Sequence, residues 1–298
     1  MIKIEKYGAI DIGSNAVRLL ISSVTTRDGQ KPRFKKTSLV RVPIRLGEDV
    51  FVHNKVSDKN IERLKDAMKS YHLLMKTHGV KKYRACATSA MRNAENGAKI
   101  VSEVKKECNI NIEVIDGKDE AAIISMTDLS ELTNSDKTFL YVDVGGGSTE
   151  LTLFDSGKVI ASKSFRLGTV RLLNDIVPEE MWTKFEKWIK KHTKDFEKIS
   201  LIGSGGNINN IFKNSGKSNG KPLSYMYLLS YYQLLESLSY QERVWQLNLN
   251  HDRADVIVHA AKIYLSAMKW SGAQNIYVPK IGLADGVIKS LYNNDKKA

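Results

Sequence analysis

The sequence predicts an α/β fold that is duplicated, with two domains of like topology, and three observations point to it. First, an apolar strand, an aspartate, a glycine-containing turn and a second strand-like run occur twice, as YGAIDIGSNAVRLL at 7–20 and YVDVGGGSTELTL at 141–153. The acid holds the same place in both turns, and Asp11 and Asp143 lie 132 positions apart. Second, each half reads strand, strand, strand, helix, strand, helix, strand, helix, with insertions in the second half. Third, 298 residues suit about two domains of ordinary size. The expected domains are 1–124 and 125–282, with the linker near 122–136 and a C-terminal helix over about 283–298 that packs back on the first.

Each element has a local reason. Residues 6–12 and 16–24 alternate around the first turn as a hairpin, and RDGQ at 27–30 leads into a polar strand near 33–42. Ser57 caps a helix whose apolar stripe is Ile61, Leu64, Met68, Tyr71 and Met75, and Gly79 ends it. YRACATSA at 83–90 reads as a strand, NAENGAKIVSEVKKEC as a helix, NIEVI at 111–115 as a strand, and a helix starts near Lys118. In the second half, strands are expected at 138–144, 148–154 and 158–166, with DSGK as a hairpin turn. Helices are expected at 169–175 and 179–197. A buried-type strand at 200–203 precedes the helical NINNIFKN, and 223–229 reads as a further strand. Helices over 230–245 and 253–270, a strand at 275–280 and a last helix complete the chain.

Composition narrows the function classes. The apolar and charged fractions, 42% and 27%, are those of a soluble globular protein. Apolar runs are too short to span a bilayer, and the N-terminus lacks an h-region and cleavage site, so a cytoplasmic protein without membrane attachment is expected. Cys86 and Cys108 offer neither a disulfide framework nor metal-type spacing. The net charge of +13 favours an anionic partner, but no helix-turn-helix, zinc-finger or RNA-binding signature argues for specific nucleic acid. The lysines of 184–198 read as a solvated helix face.

The turns are not dinucleotide or Walker loops. Neither contains G-x-G-x-x-G or a following GK[ST], and both lead into strand-like runs rather than helices. A glycine-rich hairpin can still hold phosphate, because backbone N–H groups converge where no Cβ intrudes. Gly13, Ser14 and Asn15 could do so once, and Gly145, Gly146, Gly147 and Ser148 again. An aspartate at the head of each turn repels bare phosphate unless a divalent cation lies between them. Two such loops on facing domains would clamp a phosphate chain in the cleft. The residues alone also allow ordinary β-turns stabilised by Asp.

DIGSNAVRL, DVGGGSTEL and the later GSGGN at 203–207 resemble the phosphate-1, phosphate-2 and third glycine motifs of the actin/sugar kinase/heat-shock ATPase superfamily. ATSAMR (87–92), VIDGKDEA (114–121), RLGTVRL (166–172), RADVI (253–257) and GLADGVI (282–288) narrow the resemblance to the exopolyphosphatase/guanosine pentaphosphate phosphatase (Ppx/GppA) family. The matches run in order over nearly the whole chain. The resemblance implies two ribonuclease H-like, actin-like domains, each a mixed sheet flanked by helices, with an interdomain cleft. It also implies hydrolysis of a terminal phosphoanhydride, in polyphosphate or guanosine pentaphosphate, with Mg²⁺ or Mn²⁺. The chain ends soon after GLADGVI, where many relatives carry a further helical domain, so the likeness is to a short two-domain form. A homodimer that extends a basic cleft is compatible with this.

Residue roles follow from the same likeness. Glu120 matches the family's catalytic glutamate; by position alone it could equally be an acid in the first turn of a helix. Asp143 and Glu150 match the proposed magnesium acids, with Asp11 as the symmetric, water-mediated partner, although Glu150 could also be an exposed strand residue. Arg18 and Arg92 suit phosphate oxygens because a guanidinium fork makes parallel charge-assisted bonds, or they could form surface ion pairs. Arg171 has the same two readings. Gly203, Ser204, Gly205 and Gly206 form the third glycine motif. An ATP-dependent kinase or ATPase of the same fold, and a non-catalytic binder of polyphosphate or alarmone, are the competing classes.

Overall fold

The computed structural model describes residues 1–127 and 137–297, with the side chains of 125 and 297 left out; residues 128–136 of the expected linker lie outside the described residues. The chain divides into two units, Met1–Thr127 with Gly282–Ala298, and Asp128–Ile281.

In unit 1, β1 (Ile2–Ile12), β2 (Val17–Arg27) and β3 (Arg33–Val42) form an antiparallel meander. β4 (Lys82–Ala87) and β5 (Ile112–Val114) extend it in parallel, giving the order β3-β2-β1-β4-β5. The alternation of β1 sorts its residues onto two faces. Gly8 lies against Met75 on one face, where α2 (Asp58–His78) packs. Tyr7 and Ala9 lie on the other, in a buried cluster with Cys86, Ile115, Ile123, Leu283 and Val287. That cluster carries α5 (Gly117–Ser125) and the C-terminal helix α13 (Leu283–Lys297) onto the face that also bears Asp11. Helix α2 starts and stops as its sequence dictates: the Ser57 hydroxyl accepts from the Asn60 N–H, and Gly79 closes the helix at φ +66°. The cysteines, Cys86 and Cys108, are buried free thiols in this unit.

α1 (Leu46–His53) follows β3, and α3 (Ser89–Asn93) and α4 (Gly97–Cys108) join β4 to β5. Helix α1 was not foreseen. The expected strand 83–90 ends at Ala87, and the expected helix from 93 starts at Gly97. Near the C-terminus of α13, Asp295 accepts hydrogen bonds from Tyr7 Oη at 2.9 Å and from Lys81, and pairs with Lys82 at 2.5 Å. Lys81, Lys82 and Tyr7 hold the Asp295 carboxyl well below its ordinary range. Its contribution is present above the usual carboxylate pKa and is lost as pH falls through the lowered one. Asp295→Ala is therefore expected to lower the thermal midpoint at pH 7, and the gap to wild type should close as denaturation is followed down through the acid range.

Unit 2 repeats the plan. β6 (Thr138–Val144), β7 (Thr149–Asp155) and β8 (Lys158–Phe165) form the meander, and β9 (Ile199–Ser204) and β11 (Asn275–Tyr277) add in parallel. The two-residue β10 (Leu223–Ser224) closes the order β10-β11-β9-β6-β7-β8. The β7–β8 turn carries Ser156 and Gly157 at positive φ, as a tight hairpin requires. α6 (Thr169–Leu173), α7 (Glu179–Thr193), α8 (Gly206–Asn214), α9 (Tyr225–Ser237), α10 (Tyr240–Gln246), α11 (His251–Ala254) and α12 (Ile257–Ser271) supply the helices, and α13 (Leu283–Lys297) returns to unit 1. Helix α12 is the spine, with Ile257, Ala261, Tyr264, Leu265 and Met268 all buried. Trp182, Phe185 and Trp270 pack edge to face, with Phe165 and Trp188 joining them. All four tryptophans of the chain, including the exposed Trp245, belong to this unit.

The expected strand over 223–229 is a correction. Its aromatic residues have strand propensity, but the Ser224 hydroxyl accepts from the Tyr227 N–H and starts a helix that buries Leu228, Tyr231 and Leu235. The expected helix 230–245 is two, because Ser239 and Glu242 form a capping box that begins a new one.

Candidate phosphate-binding loops and acid pairs

Each loop is the turn of an antiparallel hairpin. The Gly13 N–H donates to the Ala16 carbonyl at 3.2 Å, and the Gly145 N–H to the Ser148 carbonyl at 2.9 Å. The tight turn places the residue two before Gly13 or Gly145 opposite the residue two after Ala16 or Ser148. Asp11 therefore faces Arg18, and Asp143 faces Glu150. Residues directly opposite share a sheet face, with Cβ atoms about 5 Å apart.

The same position thus differs in sign between the units. In unit 1, Arg18 Nη1 lies 3.6 Å from Asp11 Oδ2, and the acid is neutralised within the protein. Burial pushes the Asp11 carboxyl up, opposed by Arg18. In unit 2, two carboxylates face each other, and the neighbours on both sides are hydroxyls. Ser204 Oγ, across the parallel β6–β9 pair, donates to Asp143 Oδ2 at 3.1 Å. Tyr141 Oη donates to the same oxygen at 3.3 Å. Ser164 Oγ, across the β7–β8 pair, donates to Glu150 Oε1 at 2.9 Å. Glu150 is 4% exposed, so it is not the exposed strand residue that its position allowed.

This acid pair suits a hard divalent cation. Both groups are oxygen donors, like charges directly opposed on a sheet are unfavourable, and Mg²⁺ is commonly held by one or two carboxylates with water and phosphate oxygens completing its shell. Among the described residues no group of three or more His, Cys, Asp or Glu could hold a metal. A cation held by this pair alone would take the rest of its shell from water or phosphate oxygens.

The N–H groups of Gly146, Gly147 and Ser148 make no backbone hydrogen bond among the described residues. Ser148 is buried, as is Ser14 in the first loop. Gly205 sits at φ +115°, and a Cβ there would stand 2.9 Å from the Val144 carbonyl oxygen and 3.5 Å from Asp143 Oδ1. The third glycine motif thus packs against the second loop and its acid. Gly203 makes room for Ile276 and Ile208, the Ile281 carbonyl lies 3.0 Å from Ser204 Oγ and shares its single proton with Asp143, and the Gly206 carbonyl accepts from Arg253. Tyr264 donates to the Ser204 carbonyl. The roles of Tyr141, Ser164, Arg253 and Tyr264 were missed in the sequence: Ser164 needs the β7–β8 register, Arg253 and Tyr264 reach the third glycine motif from α11 and α12, and Tyr141 acts from two residues before Asp143 on the same strand.

Glu120 lies in the first turn of α5, half-buried, on the Asp11 side of the unit 1 sheet. The Cys86 thiol, opposite Asp11 in the parallel β1–β4 pair, is pushed up to about 12 by burial, with Glu113, Asp11 and Glu120 acting in the same direction. Asp116 caps α5, accepting from the N–H groups of Lys118 and Asp119 at 2.8 Å each. Arg92 Nη1 donates to the Ile115 carbonyl at 2.6 Å, so part of its fork is spent on the turn ahead of Glu120. Arg171 is buried and donates from Nε to the Gly147 carbonyl at 2.9 Å; burial and Arg166 pull its pKa down to about 10.

Gly286 explains the glycine of GLADG. A Cβ there would stand 2.1 Å from the Ile123 carbonyl oxygen of α5. Gly286→Ala is expected to cost about 1–3 kcal/mol of folding stability through overpacking, read as a shift in denaturant midpoint at unchanged slope.

Comparison with known proteins agrees with these motifs. A family profile described as the Ppx/GppA phosphatase family matches residues 24–295. The chain is 34% identical over 226 residues to the bifunctional 3-dehydroquinate synthase/phosphatase of Fusobacterium nucleatum, covering 68% of this chain and 34% of that one. It is 32% identical over 175 residues to exopolyphosphatase 2 of Mycobacterium tuberculosis, covering 56% and 53%. The chain thus spans a third to about half of the length of these relatives. The crystal structure of an exopolyphosphatase from Cytophaga hutchinsonii superposes with a TM-score of 0.83 at 23% identity, covering 97% of this chain and 98% of that one. The fold is therefore that of two actin-like domains, each a mixed sheet flanked by helices.

Proposed function

Because the chain belongs to the Ppx/GppA phosphatase family, we propose that it is a phosphoanhydride hydrolase that releases the terminal phosphate of inorganic polyphosphate or guanosine pentaphosphate with Mg²⁺ or Mn²⁺. The observation that carries this reading is the second loop. Three N–H donors without backbone partners among the described residues adjoin two opposed carboxylates that hydroxyls hold in place. Such donors are worth about 3 kcal/mol each when they meet charge that develops in a transition state.

In this reading the N–H groups of Gly146, Gly147 and Ser148 hold non-bridging phosphate oxygens. Asp143 and Glu150 hold the cation, which when bound neutralises phosphate charge. Asp11 is kept by Arg18 from repelling the anion, and Arg18, 34% exposed, keeps donors for it. Glu120 accepts a proton from water as the water oxygen bonds to the terminal phosphorus. The anhydride P–O bond breaks, and the shortened phosphate chain leaves with that electron pair.

Phosphate release from long-chain polyphosphate, guanosine pentaphosphate and ATP, with and without Mg²⁺, tests the proposal. Turnover of either of the first two with the cation supports it. Turnover of ATP alone, or tight binding of all three without turnover, overturns it.

A further inference from the structure

The sequence Arg-Leu-Gly occurs twice, at 45–47 and 166–168. Each copy follows the third strand of its unit, after Val42 and after Phe165, and each lies at the start of a helix, α1 or α6. Leu46 and Leu167 are both fully buried. Each glycine presses on the second residue of the loop in its own unit. A Cβ on Gly47 would stand 2.9 Å from Ser14 Cβ and 3.1 Å from the Ser14 carbonyl oxygen. On Gly168 it would stand 2.4 Å from the Gly146 carbonyl oxygen.

Behind these glycines, N–H groups take up the loop carbonyls. In unit 1, the Arg45 N–H donates to Asn15 O at 3.0 Å, and the Gly47 N–H to Ser14 O at 2.7 Å. In unit 2, Thr169 N–H donates to Gly145 O at 3.0 Å, Val170 N–H to Gly146 O at 2.8 Å, and Arg171 Nε to Gly147 O at 2.9 Å. A trans peptide is planar, with its C=O antiparallel to the next N–H. Fixing the carbonyls of residues 145, 146 and 147 on one side therefore turns the N–H groups of 146, 147 and 148 to the other. Fixing those of Ser14 and Asn15 does the same for the N–H groups of Asn15 and Ala16.

The geometry points to a positioning role for this repeat: in each unit the Arg-Leu-Gly segment braces that unit's own loop from behind and turns its N–H donors outward for an anion, with Gly47, Gly168 and Arg171 acting through the loop backbone. The inference rests on reading the loops as phosphate binders, but its structural half stands apart from turnover.

The test compares full-length wild type with Gly168→Ala and Arg171→Lys, and uses Gly79→Ala as control. Gly79 sits at positive φ in open space at the end of α2, so alanine strains the fold there without touching a loop. Three quantities are read: amide exchange at Thr169 and Val170, calorimetric affinity for tripolyphosphate with Mg²⁺, and thermal midpoint. Both unit 2 variants are expected to exchange those amides roughly tenfold faster and to bind tripolyphosphate about 10- to 100-fold more weakly. Gly79→Ala should lose thermal stability yet bind as wild type does. Arg171→Lys keeps charge and most of the volume without the Nε donor, and decides the matter should Gly168→Ala not fold. Unchanged exchange and affinity in the folded variants overturn the brace, as does an affinity loss in Gly79→Ala that matches theirs. If wild type itself binds no tripolyphosphate, the phosphate reading fails instead. The exchange result alone then decides whether the loops are braced.

Discussion

Glu120→Gln is expected to lower phosphate release by about 10²–10⁴-fold while the affinity for substrate stays near that of wild type. Glutamine keeps the size and the hydrogen-bonding oxygen but cannot take a proton from water. The competing role, an acid that favours the positive end of α5, makes the opposite forecast: a stability loss of about 0.3–1 kcal/mol and little change in rate. The helix already has Asp116, whose carboxylate accepts two N–H bonds and is held below its ordinary range by them. A second anchor for that end is therefore dispensable. Single-turnover phosphate release, together with a thermal melt, separates the two roles. A variant that melts lower and turns over normally would return Glu120 to a structural part.

Glu150→Gln should abolish the link between cation and stability. Directly opposed like charges cost about 0.2–1 kcal/mol on a sheet. The variant is therefore expected to be slightly more stable than wild type in chelator. Adding Mg²⁺ at a hundred times its dissociation constant should stabilise wild type by about 2.7 kcal/mol and the variant by far less. Its turnover should fall by roughly 10²–10³-fold, the scale of losing one electrostatic support of the transition state. Equal stabilisation of both proteins by Mg²⁺ would remove Glu150 from the cation site. The neutralised counterpart in unit 1, where Arg18 replaces the second acid, predicts no such linkage there.

The sequence carried the repeated Asp-turn, the three-strand start of each half and the N-cap of α2, because these depend on near neighbours. It also carried the loop residues, since glycine at a tight hairpin is a local demand. It misassigned 223–229, where a cap and an apolar stripe outweighed aromatic strand propensity. It did not show that Asp143 and Glu150 share a face with Ser204 and Ser164, which needs three strand registers at once. The Arg-Leu-Gly repeat was short, and its distance from the acid differs, 34 residues from Asp11 to Arg45 and 23 from Asp143 to Arg166. The arms between are longer in unit 1, where β2 and β3 have 11 and 10 residues against 7 and 8 for β7 and β8. A fixed-offset comparison passes over it.

The uneven placement of indole and thiol side chains makes the molecule its own reporter. Intrinsic emission excited near the red edge of absorbance comes from unit 2 alone, since every tryptophan is there. Reaction of Cys86 and Cys108 with a chromogenic disulfide reads the opening of unit 1 alone. Followed together through a denaturant gradient, the two signals tell whether the halves melt as one or in sequence, with no label attached.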